Sequence, residues 1–135
     1  MAQNLNLKNI KAIVYDLDGV ATDGSIIPIG PTPEGLLRIV NAKDSFASRY
    51  AATQGYIMGI ISGADTEPLR SRCIHMGVKE ENLYLGARGK LKYFRKFCED
   101  NGLDASEVAY FGDVRTGWSD HGREGKRGCC HRSGG

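Results

Sequence analysis

Two carboxylates, Asp16 and Asp18, carry the chemistry that the rest of this chain has to position. They sit in Asp16-Leu-Asp-Gly19, directly after the apolar run Ala12-Ile-Val-Tyr15. Residues two apart on a strand point the same way. Both acids are therefore expected to leave the C-terminal end of a first, buried strand together, where open α/β sheets bind ligands. Alone, Asp-x-Asp-Gly is only a polar turn; here a buried strand precedes it and Thr22-Asp23-Gly24 follows. Carboxylates this close repel each other, which makes a divalent cation a natural resident. Magnesium prefers oxygen ligands and often bridges one or two carboxylates and a phosphate. One carboxylate can then attack phosphorus, and the other can protonate the leaving oxygen.

The elements that must hold these groups follow from patterning. Two short β-like runs around the Gly/Pro-rich turn at 30–35 read as a hairpin after the first strand, with Pro28 confining its strand to an edge. Residues 45–54 are helical in composition, with Asp44 as the expected N-cap and Gly55 as the stop. A second buried strand is expected at 56–61. A helix follows from Thr66 to Met76, with Pro68 in its first turn and Gly77 after it. A short third strand is expected at 82–85, then a helix over 89–100 with Leu91, Phe94, Phe97 and Cys98 on one face. The fourth strand is Val108-Ala-Tyr-Phe111. Strands alternating with helices define an α/β fold, a Rossmann-like parallel sheet flanked by helices.

Composition narrows the classes. At 135 residues the chain suits one domain. A net charge of +2, with the basic excess mostly in the tail, gives no argument for a nucleic-acid partner. No apolar run is long enough to span a membrane and no signal-peptide layout opens the chain, so a cytoplasmic location without a membrane partner is expected. Cys73 and Cys98 fall in expected helices as small core residues, and Cys129 and Cys130 are adjacent; neither arrangement is a disulfide framework.

Each remaining strand end carries a useful group. Ser62 brings a hydroxyl and a backbone N–H that can hold a phosphate oxygen. Lys90, after Gly86-Ala-Arg-Gly89, can place an ammonium beside a phosphate and the nucleophile, with Arg88 and Lys92 competing for that role. Asp113, after Tyr110-Phe-Gly112, can complete a metal site with Asp16. The order Asp-x-Asp, Ser, Lys, Asp, one group per strand end, resembles the four motifs of the haloacid dehalogenase superfamily. The spacing leaves no room for a large cap domain. From about Leu7 to Asp113 the chain is similar to the small capless branch of 3-deoxy-D-manno-octulosonate 8-phosphate phosphatases, on the residues 16–24, Asn41-Ala-Lys-Asp44, Ile60-Ile-Ser-Gly63, Gly89-Lys90 and 108–113. The resemblance implies a nucleophilic Asp16 and an acid/base Asp18, with Ser62 and Lys90 holding phosphate. It puts magnesium on Asp16, the Asp18 carbonyl and Asp113, and substrate contacts at Thr22, Asn41, Lys43, Asp44 and Gly63. It further implies a homotetramer in which hairpins form a central barrel and a neighbouring subunit closes each site. The substrate class it implies is a phosphorylated sugar acid, the octulosonate or a nine-carbon relative.

The chain departs from that family at several points. Ala21 stands where the family usually has Leu, Ala64 where it often has Arg, and Gly89 where an Asp commonly precedes the lysine. After Asp113, Val114 and Gly117 occupy positions that are acidic in the family. Residues 114–135 contain no Leu, Ile, Met or Phe, and show no periodicity. The expected organisation is a phosphatase-like domain over 1–113, incomplete at its C-terminus, and a Gly/Arg-rich tail over 114–135 that is disordered or the product of a reading-frame shift. Under that expectation activity is impaired, and a different class of function, an oligomerising or binding module, is the alternative.

Overall fold

The computed structural model describes residues 7–112 and 129–131. In chain order the elements are β1 (Ala12–Tyr15), β2 (Ile27–Pro28), β3 (Leu36–Leu37), α1 (Ala42–Thr53), β4 (Ile57–Ile61), α2 (Glu67–His75), β5 (Leu83–Tyr84), α3 (Lys90–Asp100), β6 (Val108–Gly112) and β7 (Cys129–His131). Five of these strands form one parallel sheet in the order β5-β4-β1-β6-β7. The expected α/β class, hairpin and strand order along the chain are all present. β1 lies at the centre, level with both neighbours: Tyr15 is opposite Ile60 on one side and Phe111 on the other.

Alternation along the strands divides the core into two layers. Ala12, Val14, Val108 and Tyr110 face α3, whose Phe94, Phe97 and Cys98 pack on them. Tyr15, Met58 and Ile60 face the opposite way, against Leu69 and Cys73 of α2 and the Met76–Val78 turn. Close packing reaches its limit at Gly59, where a Cβ would lie 2.8 Å from Cε2 of Phe97. Only glycine lets the fully buried Phe97 ring approach β4 this closely. Burial of Phe94 and Phe97 is what holds α3, and hence its first residue Lys90, against the sheet.

The α1 layer is packed differently. Its buried residues are two serines, Ser45 and Ser48. The Tyr15 hydroxyl lies 2.9 Å from Ser48 Oγ, and that hydroxyl donates to the Met76 carbonyl at 2.8 Å. Arg72 donates to Ser45 Oγ at 2.9 Å. Beside this polar seam lies a cavity of about 510 Å³ walled by Ile13, Met58, Ala47, Ala51 and Phe111.

Three features differ from the sequence reading. α1 is capped by Asn41, not Asp44: Asn41 is extended and its side chain accepts from the Lys43 and Asp44 N–H groups at 2.8 and 3.3 Å. Starting a turn earlier satisfies two otherwise orphan donors and leaves Asp44 in the first turn, near the positive end of the helix. β1 ends at Tyr15, so strand alternation does not place Asp18. It lies in a tight turn, Leu17–Ala21, closed by the Thr22 N–H on the Leu17 carbonyl at 3.0 Å. Gly19 takes φ 81° within it, a conformation that a side chain would strain. Finally, Cys129–His131 pairs with β6, so these three residues of the expected tail join the sheet. An open strand edge is a template for such pairing. The rest of the tail lies outside the described residues.

Among the described residues no helix is long and apolar enough to cross a membrane.

Burial pushes the Tyr15 hydroxyl up from 10.0 to about 12. The sign follows from linkage: the unfolded chain loses this proton first, so the stability it carries is complete below pH 10 and is lost as pH rises to about 12. Urea midpoints should fall across that window in the parent chain and fall less steeply in Tyr15→Phe; parallel curves would exclude Tyr15 as the cause.

Candidate active site

The sheet ladder itself carries two site residues to one edge. The Asp16 N–H donates to the Phe111 carbonyl at 2.9 Å, continuing the β1–β6 pairing one residue past the strand. The Ser62 N–H does the same toward the Tyr84 carbonyl of β5, also at 2.9 Å. That donor is therefore spent on the sheet, and the expected use of the Ser62 N–H for a phosphate oxygen is corrected to its hydroxyl alone. Ser62 Oγ accepts from the Ala64 N–H at 3.3 Å, and the Ser62 carbonyl accepts from Ala87 at 2.8 Å. These bonds fix both the β4 end and the loop before α3.

Asp16 is buried, and its carboxylate is held from two sides. Oδ1 accepts from the Leu17 N–H at 2.8 Å, which sets the plane of the group. Oδ2 accepts from the Lys90 ammonium. An ionised carboxylate can remain in such a place only with a paired cation and satisfied lone pairs. Lys90 is the first residue of α3, after Gly89. Of the three basic residues in competition, the contact falls to Lys90; Arg88 is exposed, and the Lys92 ammonium lies 5.8 Å from the centre of the Tyr93 ring.

Asp18 faces a partner that patterning did not supply. Arg38, one residue past β3, donates from Nε to Asp18 Oδ1 at 2.7 Å. No sequence signal selects it: apolar Leu37 and Ile39 flank Arg38, so patterning alone turns the charged residue outward, whereas in the structure Leu36, Arg38 and Val40 share the less exposed face.

The other expected site residues are placed as follows. Thr22 is buried and accepts at Oγ1 from the Gly19 and Gly24 N–H groups at 3.3 and 3.1 Å, so it braces the turn that carries Asp18. Asn41 caps α1. Lys43 and Asp44 are exposed on the first turn of α1, Asp44 at the rim of the α1 cavity. Gly63 is exposed beside Ser62. That cavity borders the site through Gly19, Asp44 and Gly112 but is lined by none of Asp16, Asp18, Ser62 or Lys90. Asp113 lies outside the described residues. Among those described, no three His, Cys, Asp or Glu converge as a metal site.

A parallel α/β sheet with a buried Asp–Lys pair at the end of its central strand, and a second acid two residues on, defines an aspartate-centred site at the carboxyl edge. Comparisons with known proteins place it. No protein-family model matches the chain. The 3-deoxy-D-manno-octulosonate 8-phosphate phosphatase KdsC of Escherichia coli K12 is 32% identical over 111 residues, covering 82% of this chain and 57% of KdsC. A crystal structure of that phosphatase from Yersinia pestis superposes with a TM-score of 0.71 at 30% identity, covering 79% of this chain and 56% of the other. One from Moraxella catarrhalis, in complex with magnesium ion, phosphate ion and a KDO molecule, gives 0.70 at 27% identity over 79% of this chain and 59% of the other. The chain belongs to the haloacid dehalogenase superfamily, in its capless, KdsC-like branch. It spans 57% of the length of the curated relatives it matches.

Replacing Lys90 by Met should leave the Asp16 charge buried against an apolar stem. We expect a loss of about 3–5 kcal/mol in urea unfolding. Most of it should be recovered in the Asp16→Asn/Lys90→Met double variant. Additive losses would show that the pair is not coupled.

Proposed function

We propose that this chain is a magnesium-dependent phosphatase acting on a phosphorylated sugar acid, the octulosonate 8-phosphate or a nine-carbon relative. The observation that carries this reading is the buried Asp16–Lys90 pair at the end of the central strand. A carboxylate fixed in plane by a backbone N–H and flanked by an ammonium is poised to meet a phosphate, whose charge the ammonium also neutralises.

In this reading an Asp16 oxygen attacks phosphorus, forming the Asp16–phosphorus bond as the ester P–O bond breaks. Asp18 gives its proton to the departing alkoxide. Water then attacks the aspartyl-phosphate, Asp18 accepts a proton from it, and phosphate leaves with Asp16 restored. Ser62 Oγ and Lys90 hold the non-bridging oxygens. Substrate contacts are assigned to Lys43, Asp44 and Gly63, while Thr22 and Asn41 act through the turn and the helix start that they brace.

The hard-oxygen donors among the described residues, the Asp16 carboxylate and the Asp18 carbonyl, fit a cation that keeps several waters and takes few protein ligands. Asp113 is the third proposed ligand. When bound, magnesium would supply the positive charge that lets a carboxylate and a phosphate approach.

A second reading, an oligomerising module with reduced catalysis, is favoured by the exposed apolar side chains of the hairpin: Ile26, Ile27, Ile29, Leu37 and Ile39. A homotetramer built on that hairpin is compatible with either reading.

Magnesium-dependent hydrolysis of an aryl phosphate tests the first. Asp16→Asn should lower kcat at least about a thousand-fold. A folded parent without activity would favour the second reading. Activity that survives in Asp16→Asn would remove Asp16 as the nucleophile.

A further inference from the structure

Arg38 belongs to none of the motifs that define the family resemblance, yet the structure holds a largely buried arginine side chain there. Its neighbours Leu37 and Ile39 are 45% and 68% exposed, while the Arg38 side chain is only 9% exposed. Burying an arginine head forfeits much of its hydration, and only a fixed anionic partner offsets that cost. The partner is Asp18, with a second, longer bond from Nη1 to the Leu36 carbonyl at 3.4 Å.

Comparison with the other ion pairs sharpens the point. The cations of the pairs to Glu107, Asp65, Glu80 and Asp100 are 30–65% exposed. Among the described pairs only two hold a cation less than 15% exposed: Lys90 on Asp16 and Arg38 on Asp18. The two least exposed of these cations are thus placed on the two acids of a single Asp-x-Asp motif. One comes from the helix after β5 and the other from the hairpin, 74 and 20 residues away in sequence.

The contact has one further property. Arginine commonly grips a carboxylate with two parallel bonds. Here only Oδ1 is engaged, and Oδ2 accepts no hydrogen bond among the described residues. One carboxyl oxygen is thus fixed in position while the other is left clear of the guanidinium.

We propose that Arg38 is a positioning residue that holds the Asp18 carboxyl in the orientation needed for proton transfer to the leaving group, and thereby makes that step depend on the seating of the hairpin. The role rests on the phosphatase reading above. Asp18 stands in a five-residue turn with its side chain 36% exposed, so without Arg38 its rotamer has no other side-chain anchor among the described residues. Proton transfer is sensitive to such misplacement.

The test reads leaving-group dependence. p-Nitrophenolate departs as a stable anion and needs little protonation, whereas phenolate from phenyl phosphate needs more. Arg38→Ala should lower kcat on phenyl phosphate roughly ten- to a hundred-fold, a part of the usual contribution of general acid catalysis. The loss on p-nitrophenyl phosphate should be several-fold smaller. Arg38→Lys, which keeps the charge and the fold, should recover much of the difference. In an Asp18→Asn background, Arg38→Ala should add no further loss. Equal losses on both esters, a change confined to KM, or full additivity with Asp18→Asn would overturn the role while leaving the phosphatase reading intact. A folded parent inactive on both esters would overturn that reading, and this role with it.

Discussion

Everything at the carboxyl edge of this sheet depends on keeping one charged carboxylate out of water. Asp16 sits where the central strand ends, with strands on both sides and core above and below. An uncompensated charge there would cost several kcal/mol, more than a small domain can spare. The compensation comes from Leu17 on the same turn and Lys90 on a distant helix. Because Lys90 opens α3, it can reach Asp16 only if Phe94 and Phe97 seat that helix on the sheet. Phe97 seats only because Gly59 makes room on β4. A chain of packing constraints therefore runs from a glycine in the second buried strand to an ammonium at the Asp16 carboxylate, and the site inherits its geometry from the core.

The hairpin adds a second, independent support. It places Arg38 against Asp18, and Thr22 ties the turn that carries Asp18 with two backbone bonds. The first acid is thus governed by the core and the second by an appendage. That division suits their proposed tasks: a nucleophile that must not move, and a proton carrier that must exchange with an incoming group.

The elements and their order were legible because their signals are local. Buried runs of four to five apolar residues mark β1, β4 and β6, and glycines 55 and 77 stop the two helices before them. The misreadings were also local in origin. Asp44 and Asn41 are both competent caps, and the choice depends on where the backbone turns extended, which composition does not encode. The Ser62 N–H looked available because a sequence does not show that the β4–β5 ladder runs one residue past the strand. Ion pairs spanning 20 and 74 residues leave no periodic trace. Arg38 was visible only as an odd residue in an otherwise apolar strand. Pairing of Cys129–His131 with β6 was equally invisible, since a three-residue edge strand has almost no pattern of its own.

The way α1 is seated has a consequence for how the molecule breathes. A helix that buries two serines and faces a void has few dispersion contacts to lose when it lifts. Its anchorage combines a short relay of hydroxyl groups, which water can replace at little cost, with the small apolar contacts of Ala51 and Ala52. α3, clamped by two phenylalanines, has no such substitute. Local opening free energies in one domain span a wide range, and the cheapest units are those with the least apolar contact. α1 is therefore expected to open at lower cost than α3. The segment from Asn41 to Asp44 rides on it, so the proposed substrate contacts Lys43 and Asp44 can shift with α1 while the Asp16–Lys90 pair stays in place.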